Sequence, residues 1–198
     1  CSSDLAIVQC RHAFRNRDSI QHGSEAWHDQ SAFFEVLLKG RDRLDASFWV
    51  GSGAILRATA LAEIGGIRTK TIVEDLETTL ALQARGYVAV YHSEPLVFGL
   101  APTTWQAFFV QRFRWAAGTI RVLLSTGSPL LSPKFRWTTR LSYVSNLLFY
   151  VSPAQAMAFV LVLSVALVTG MMPLVNPPGW LIALWAFQLA LNLAVTRM

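Results

Sequence analysis

An α/β domain that runs on into a membrane-embedded helical region is the fold class this sequence predicts, on three observations. Over residues 1–100, apolar runs of strand length alternate with stretches of helical periodicity. From Leu141 to Thr196 there is no charged residue, a length that suits bilayer-spanning helices. Between the two lies an acid-free basic stretch: all twelve acidic residues stand at or before Glu94, whereas Arg112, Arg114, Arg121, Lys134, Arg136 and Arg140 lead into the apolar run. The expected organisation is an α/β part over 1–100, amphipathic interface helices over 101–140 and a transmembrane region of about two spans over 141–198.

The elements follow in order. Leu5 to Gln9 suits a buried strand, and Arg11 to Gly23 is polar and loop-like. Glu25 to Leu38 carries Trp27, Phe33, Phe34, Val36, Leu37 and Leu38 in an imperfect amphipathic helix pattern, and a strand over Ala46 to Val50 runs into Gly51-Ser52-Gly53. Ala58 to Ile64 reads as a helix stopped by Gly65-Gly66, Glu74 to Arg85 as another stopped by Gly86, and Tyr87 to Tyr91 as a strand. Pro102-Thr103-Thr104 starts a helix reaching about Leu124, and Ser125 to Pro133 is a breaker-rich linker. Leu141 to Tyr150 is expected at an interface, with Pro153 kinking or restarting the helix. Ala154 to Met172 is then long enough to span. Pro173 to Gly179 makes a turn, and Trp180 to Thr196 returns, bringing Arg197 to the side of Arg140.

The net charge of +5 is local. A basic stretch beside a membrane segment fits nucleotide phosphates or anionic lipid, and it belongs to no recognisable nucleic-acid module. Cys1 and Cys10 are too few for a disulfide framework or zinc site, and His12, His22, His28 and His92 show no metal-ligand spacing, so they read as surface or structural. The chain opens on Cys1 with no signal peptide and stops directly after an apolar segment, which reads as an internal piece of a larger protein.

Two segments could carry chemistry. Thr71-Ile72-Val73-Glu74 fits a capping box, and acids in a helix's first turn are favoured by its dipole without further role. Alternatively Asp75 projects from the helix start into a cleft, where its carboxylate can accept a proton from an attacking hydroxyl. In the following basic helix, the 100° step groups Gln111, Arg114, Trp115 and Gly118 within an arc of about 100°, with Phe113 elsewhere. A planar arginine suits a diphosphate, a tryptophan ring a sugar face and a glutamine a hydroxyl; snorkelling arginines on an interfacial helix give the same composition.

Together these segments resemble the processive family 2 glycosyltransferases, in particular the catalytic subunits of bacterial cellulose synthases. Thr71-Ile72-Val73-Glu74-Asp75 resembles that family's Thr-Glu-Asp motif with Val73 in place of threonine, and Gln111-Arg112-Phe113-Arg114-Trp115 matches its Gln-x-x-Arg-Trp motif in full. Phe48 to Ala54 is similar to its Phe-Phe-Cys-Gly-Ser segment, with Trp49 and Val50 as departures. Val8-Gln9 and Phe14 to Asp18 are similar to a stretch reading Val-Gln-Thr-Pro and continuing to Asn-x-Asp, with Cys10 and Arg11 replacing threonine and proline.

The resemblance implies the C-terminal part of a GT-A domain, followed by interface and transmembrane helices, in an integral membrane protein of a bacterial inner membrane with its catalytic part cytoplasmic. It implies transfer of glucose from UDP-glucose, with inversion, to a growing β-1,4-glucan. Asp75 is then the general base, Arg114 with Gln111 holds donor diphosphate or acceptor, Trp115 stacks under the acceptor sugar, and Glu74, Gly51 and Ser52 also line the substrate. Other β-glycan or glycolipid synthases of the family (hyaluronan, poly-N-acetylglucosamine, osmoregulated glucan) share these motifs, and a non-catalytic membrane-docking module is the alternative from another class. The implied partners are the UDP-sugar donor, the glycan acceptor, the lipid bilayer and accessory synthase subunits, with no nucleic acid. The implied cofactor is Mg²⁺ (or Mn²⁺), whose Asp-x-Asp ligands are expected upstream of Cys1, so this piece alone is expected to be inactive.

Overall fold

The structure is a computed structural model and describes residues 3–16, 22–24, 27–125 and 128–170, with isolated helical positions at 179, 182–183, 186–187 and 190. It divides into two compact units, Cys1–Leu147 and Leu148–Met198.

In the first unit β1 (Leu5–Phe14) is the middle of a three-stranded sheet, flanked by β4 (Ala54–Leu56) and β5 (Val88–Gly99). β5 runs parallel to β1 and β4 antiparallel, so the sheet is mixed. Gln9 is registered with Ala54 on one side and Tyr91 on the other. The apolar strand read at Leu5 to Gln9 is present, but pairing continues through the polar residues to Phe14, where a loop was expected. Register shifts around Arg11 let His12 pair with Val97 and Phe14 with Gly99, so the ladder absorbs an irregularity instead of ending.

Two other expectations are corrected. The helix expected from Glu25 begins later, because Trp27–His28 is β3, paired with β2 (His22–Ser24); a π-helical turn at Phe33–Leu37 then runs into α1 (Leu38–Asp42). No strand forms over Ala46 to Val50. Its backbone groups are instead taken by side chains: Thr79 Oγ1 accepts from Trp49 N at 3.1 Å, Gln9 Oε1 from Val50 N at 2.9 Å, and Gln83 Nε2 donates to Ser47 O at 2.9 Å. Phe48 and Trp49 are still buried, as their apolar character requires.

α2 (Ala58–Glu63) and α3 (Glu74–Gln83) occupy the expected positions, and Gly86 ends the α3 region at φ +88°. α4 (Trp105–Leu123) opens on Thr104, whose Oγ1 accepts from Ala107 N at 3.3 Å, a side-chain cap for one of the otherwise unpaired first-turn N–H groups. One core joins Phe34, Leu38, Phe48, Val73, Leu76, Leu80, Tyr91, Val122, Leu123, Phe135 and Tyr143, and a second joins Ala6, Ile7, Trp49, Ala60, Ile64, Leu82 and Ala89. Residues on both sides of Asp75 therefore pack with the end of α4.

α5 (Trp137–Thr169) is one continuous helix, about 50 Å long at 1.5 Å per residue. The interface segment expected at Leu141 to Tyr150 and the span expected from Ala154 are parts of it. Pro153 lies in its interior and does not end it; proline removes one N–H donor, and the helical turns on either side carry the element past it. Its first turns are fixed by buried Arg41, whose Nη2 donates to Ser142 O (2.8 Å) and Asn146 Oδ1 (2.7 Å), and by Tyr143, whose hydroxyl donates to Gln83 Oε1 at 2.9 Å. In the second unit most described α5 side chains are exposed and apolar. Among the described residues this is the one helix long and apolar enough to cross a membrane. The expected turn at Pro173 to Gly179, the returning helix from Trp180 and Arg197 lie outside the described residues, apart from the isolated helical positions.

Candidate active site

α3 begins without the expected capping box. The residue before its first turn is Val73, which has no side chain able to cap, and Thr71 Oγ1 donates to Glu77 Oε2 at 2.9 Å instead of bonding the backbone. Asp75 Oδ1 accepts from Leu76 N at 2.7 Å, so the carboxylate partly caps its own helix. That bond holds the side chain at the helix start, with Oδ2 left over.

Oδ2 lies against Gly51. A Cβ on Gly51 would stand 3.3 Å from it, and Gly51 adopts φ +90°. Both facts call for glycine: the left-handed backbone disfavours a side chain, and the close approach leaves little room for one. Burial pushes the Asp75 carboxyl up to about 6, and the neighbouring Glu74 charge pushes the same way, against the Leu76 N–H bond. A carboxyl with that value is ionised at neutral pH yet basic enough to take a proton.

Gly51-Ser52-Gly53 is held from below by residues the sequence reading left without a role. Gln9 is fully buried, and its Nε2 bonds Ser52 O (2.8 Å) and Gly53 O (3.1 Å) while its Oε1 takes Val50 N. His12, read as surface or structural, is half-buried beside the loop, its ring against Phe34 at 5.0 Å. Its Nε2 is 2.6 Å from Ser52 O and 3.1 Å from Ser52 Oγ. A carbonyl can only accept, so this nitrogen carries the proton. Burial lowers the His12 pKa, opposed by the Ser52 bond, which favours the neutral ring. The signal was available in part, since Val8-Gln9 belongs to a motif-like stretch, but a buried glutamine is not readable from a strand pattern. Asn16 is a second such case: it exchanges two hydrogen bonds with the Ala101 backbone, 2.8 Å to O and 2.7 Å from N, clamping the end of β1 to the approach of α4.

α4 meets the residues that lead into α3 through Gly118, which is buried against Val73 and Ile72. One turn before it, Arg114 is exposed and makes no hydrogen bond or ion pair among the described residues, while Trp115 is half-buried. Gln111 Oε1 is buried without a hydrogen-bond partner among the described residues, a state that leaves about 1–3 kcal/mol of desolvation uncompensated until a donor arrives. Arg112, a variable position of the motif, pairs with Asp29 and lies between the rings of Phe108 and Trp115, 4.9 Å from each centroid. It therefore fixes the Trp115 ring. Glu74 is half-buried next to Asp75, and Ser52 is exposed. Among the described residues no group of three His, Cys, Asp or Glu side chains gathers as metal ligands, and the sequence has no Asp-x-Asp; the residues present do not by themselves fit a divalent ion.

The family model described as glycosyl transferase family group 2 matches residues 1–195. The cellulose synthase 1 catalytic subunit (UDP-forming) of Komagataeibacter xylinus is 36% identical over 147 residues, covering 72% of this chain and 20% of that protein. The cellulose synthase catalytic subunit (UDP-forming) of Xanthomonas axonopodis pv. citri is 34% identical over 151 residues, covering 74% and 20%. A putative cellulose synthase 2 of Komagataeibacter xylinus is 34% identical over 160 residues, covering 79% and 10%. The chain thus spans 10% to 20% of the length of these curated relatives. Among solved structures, the mannosyltransferase PcManGT from Pyrobaculum calidifontis, in complex with GDP-Man and Mn²⁺, superposes with a TM-score of 0.51 at 18% identity, covering 97% of this chain and 48% of that one. That likeness shows a GT-A-like fold of mixed α/β content. On the family model, which matches nearly the whole chain, the chain belongs to glycosyl transferase family group 2.

Proposed function

We propose that this chain is the acceptor-side part of a membrane-embedded processive synthase that transfers glucose from UDP-glucose, with inversion, to a growing β-1,4-glucan. The observation that carries the reading is the Asp75 carboxylate, with one oxygen tied to its own helix, the other against Gly51, and a pKa raised to about 6. In the proposed step Asp75 takes the proton of the acceptor hydroxyl, whose oxygen forms a bond to the anomeric carbon as the bond to the UDP oxygen breaks. UDP leaves with the electron pair.

Arg114 and Gln111, whose polar ends have no partner among the described residues, supply donors and an acceptor for diphosphate or sugar hydroxyls. Trp115, its ring fixed by Arg112, offers a sugar platform, and Gly51 and Ser52 line the acceptor side. A divalent metal, bound by residues outside this chain, would screen the diphosphate charge. The exposed aromatic row Trp105, Phe109 and Phe113, four residues apart on α4, together with apolar α5, supports a lipid-facing position for these helices. On this reading the protein is an integral membrane protein of a bacterial inner membrane, its catalytic part is cytoplasmic, and accessory subunits join the full-length enzyme.

The test is product analysis. Membranes carrying the full-length protein, fed labelled UDP-glucose, should form an insoluble polymer that a β-1,4-glucanase degrades. A hyaluronan-type or N-acetylglucosamine polymer, or a lipid carrying a single sugar, overturns the substrate assignment. Absence of incorporation from any nucleotide sugar returns the docking-module reading.

A further inference from the structure

Gly118 has no room for a side chain. A Cβ there would stand 2.6 Å from Val73 Cγ1, 3.0 Å from Val73 Cγ2 and 3.1 Å from Ile72 Cγ1. Its backbone is helical, so no unusual dihedral calls for glycine. A glycine inside a helix costs about 1 kcal/mol relative to alanine. What offsets that cost is contact, since the missing side chain lets α4 lie directly on the residues that open α3.

Val73 is no ordinary neighbour. It immediately precedes α3, its carbonyl accepts the first helical bond from Glu77 N at 3.1 Å, and it stands two residues before Asp75. It is also buried in the same core as Val122 and Leu123 of α4. A methyl group at 118 must push Val73 away, and the start of α3 moves with it. We infer that Gly118 is a positioning residue for the base: the depth to which Val73 seats against it sets where the Asp75 carboxylate stands relative to the Arg114 face of α4. The inference rests on the proposed role of Asp75. It assigns Val73, where the family motif has threonine, the part of a packing gauge matched to Gly118.

The experiment is a double-mutant cycle in the full-length, membrane-inserted protein, reading kcat and KM for UDP-glucose. Gly118→Ala should lower kcat by about 10- to 100-fold, the scale of a misplacement near 1 Å. KM should stay within about twofold, because donor binding is not touched. Val73→Ala alone should cost about threefold or less, and adding it to Gly118→Ala should restore kcat to within about threefold of Val73→Ala, because the removed methyl groups make the room. If alanine acted only through helix propensity it would stabilise α4 and leave turnover unchanged. Wild-type kcat in Gly118→Ala, or a Gly118→Ala defect that Val73→Ala does not relieve, overturns the inference. Should Gly118→Ala fail to fold, the double variant still decides: a folded, active double variant supports the inference and an inert one overturns it. Asp75→Asn separates the two levels. If it stays active the base assignment itself has failed, whereas an inert Asp75→Asn beside a fully active Gly118→Ala removes this inference alone.

Discussion

The loop Gly51-Ser52-Gly53 and the Gln111–Trp115 face of α4 carry the same kinds of polar group and treat them in opposite ways. In the loop the Ser52 and Gly53 carbonyls are satisfied: Gln9 bonds Ser52 O and Gly53 O, His12 reaches Ser52, and Cys10 N donates to Gly53 O at 2.8 Å. On α4, among the described residues, Gln111 Oε1 is buried and unpartnered and Arg114 is exposed without a partner. A satisfied network holds one geometry, whereas unsatisfied groups store binding capacity. The difference separates a preformed wall beside Asp75 from a face whose polar groups are free for the ligand contacts proposed for it.

The comparison can be broken most forcefully at Asp75. Asp75→Asn keeps the shape and the Leu76 bond but removes the base, so turnover of labelled UDP-glucose should fall by about 10²- to 10⁴-fold, with UDP affinity unchanged by calorimetry. On the α4 face, Arg114→Ala should weaken UDP or acceptor binding by about 10- to 100-fold, the value of a charge-assisted hydrogen bond, with the folded protein as stable as before. The opposite pattern is expected on the preformed side. Gln9→Leu strips Val50 N–H and the Ser52 and Gly53 carbonyls of their buried partner and should destabilise the fold by about 2–4 kcal/mol, read by denaturant unfolding. Smallest is Arg112→Lys, which keeps the charge near Asp29 but loses the planar stack on Trp115; about a threefold loss in acceptor KM is expected, with kcat held.

Legibility in the sequence followed how local each cause is. Helices announced by apolar spacing and bounded by Thr104, Gly65 or Gly86 were readable because caps and stops act within a turn. Asp75, Gln111, Arg114 and Trp115 were readable as a motif. Ala46–Val50 misled because its composition suits a strand, while its partners are the side chains of Gln9, Thr79 and Gln83, far apart in the chain. The same applies to the capping box: the pattern at Thr71–Glu74 is present, but Thr71 bonds Glu77 and leaves Val73 to open the helix. The pairing of Gly118 with Val73 depends on two segments meeting, which no spacing rule encodes.

The raised Asp75 pKa has consequences of opposite sign for stability and for activity. With the folded value near 6 against an ordinary 3.8, the folded state binds the proton more tightly than the unfolded chain does. This group's contribution to stability is therefore greatest below about pH 4 and is lost as pH rises through 6. On the proposed role of Asp75, activity needs the ionised form, so it runs the other way. The most direct test is the pH dependence of turnover at saturating UDP-glucose in the full-length protein. An ionised Asp75 acting as the base predicts a rate that rises about tenfold per unit up to a limb near pH 6 and is level above it. A rate that is flat between pH 5 and 8 would contradict the account.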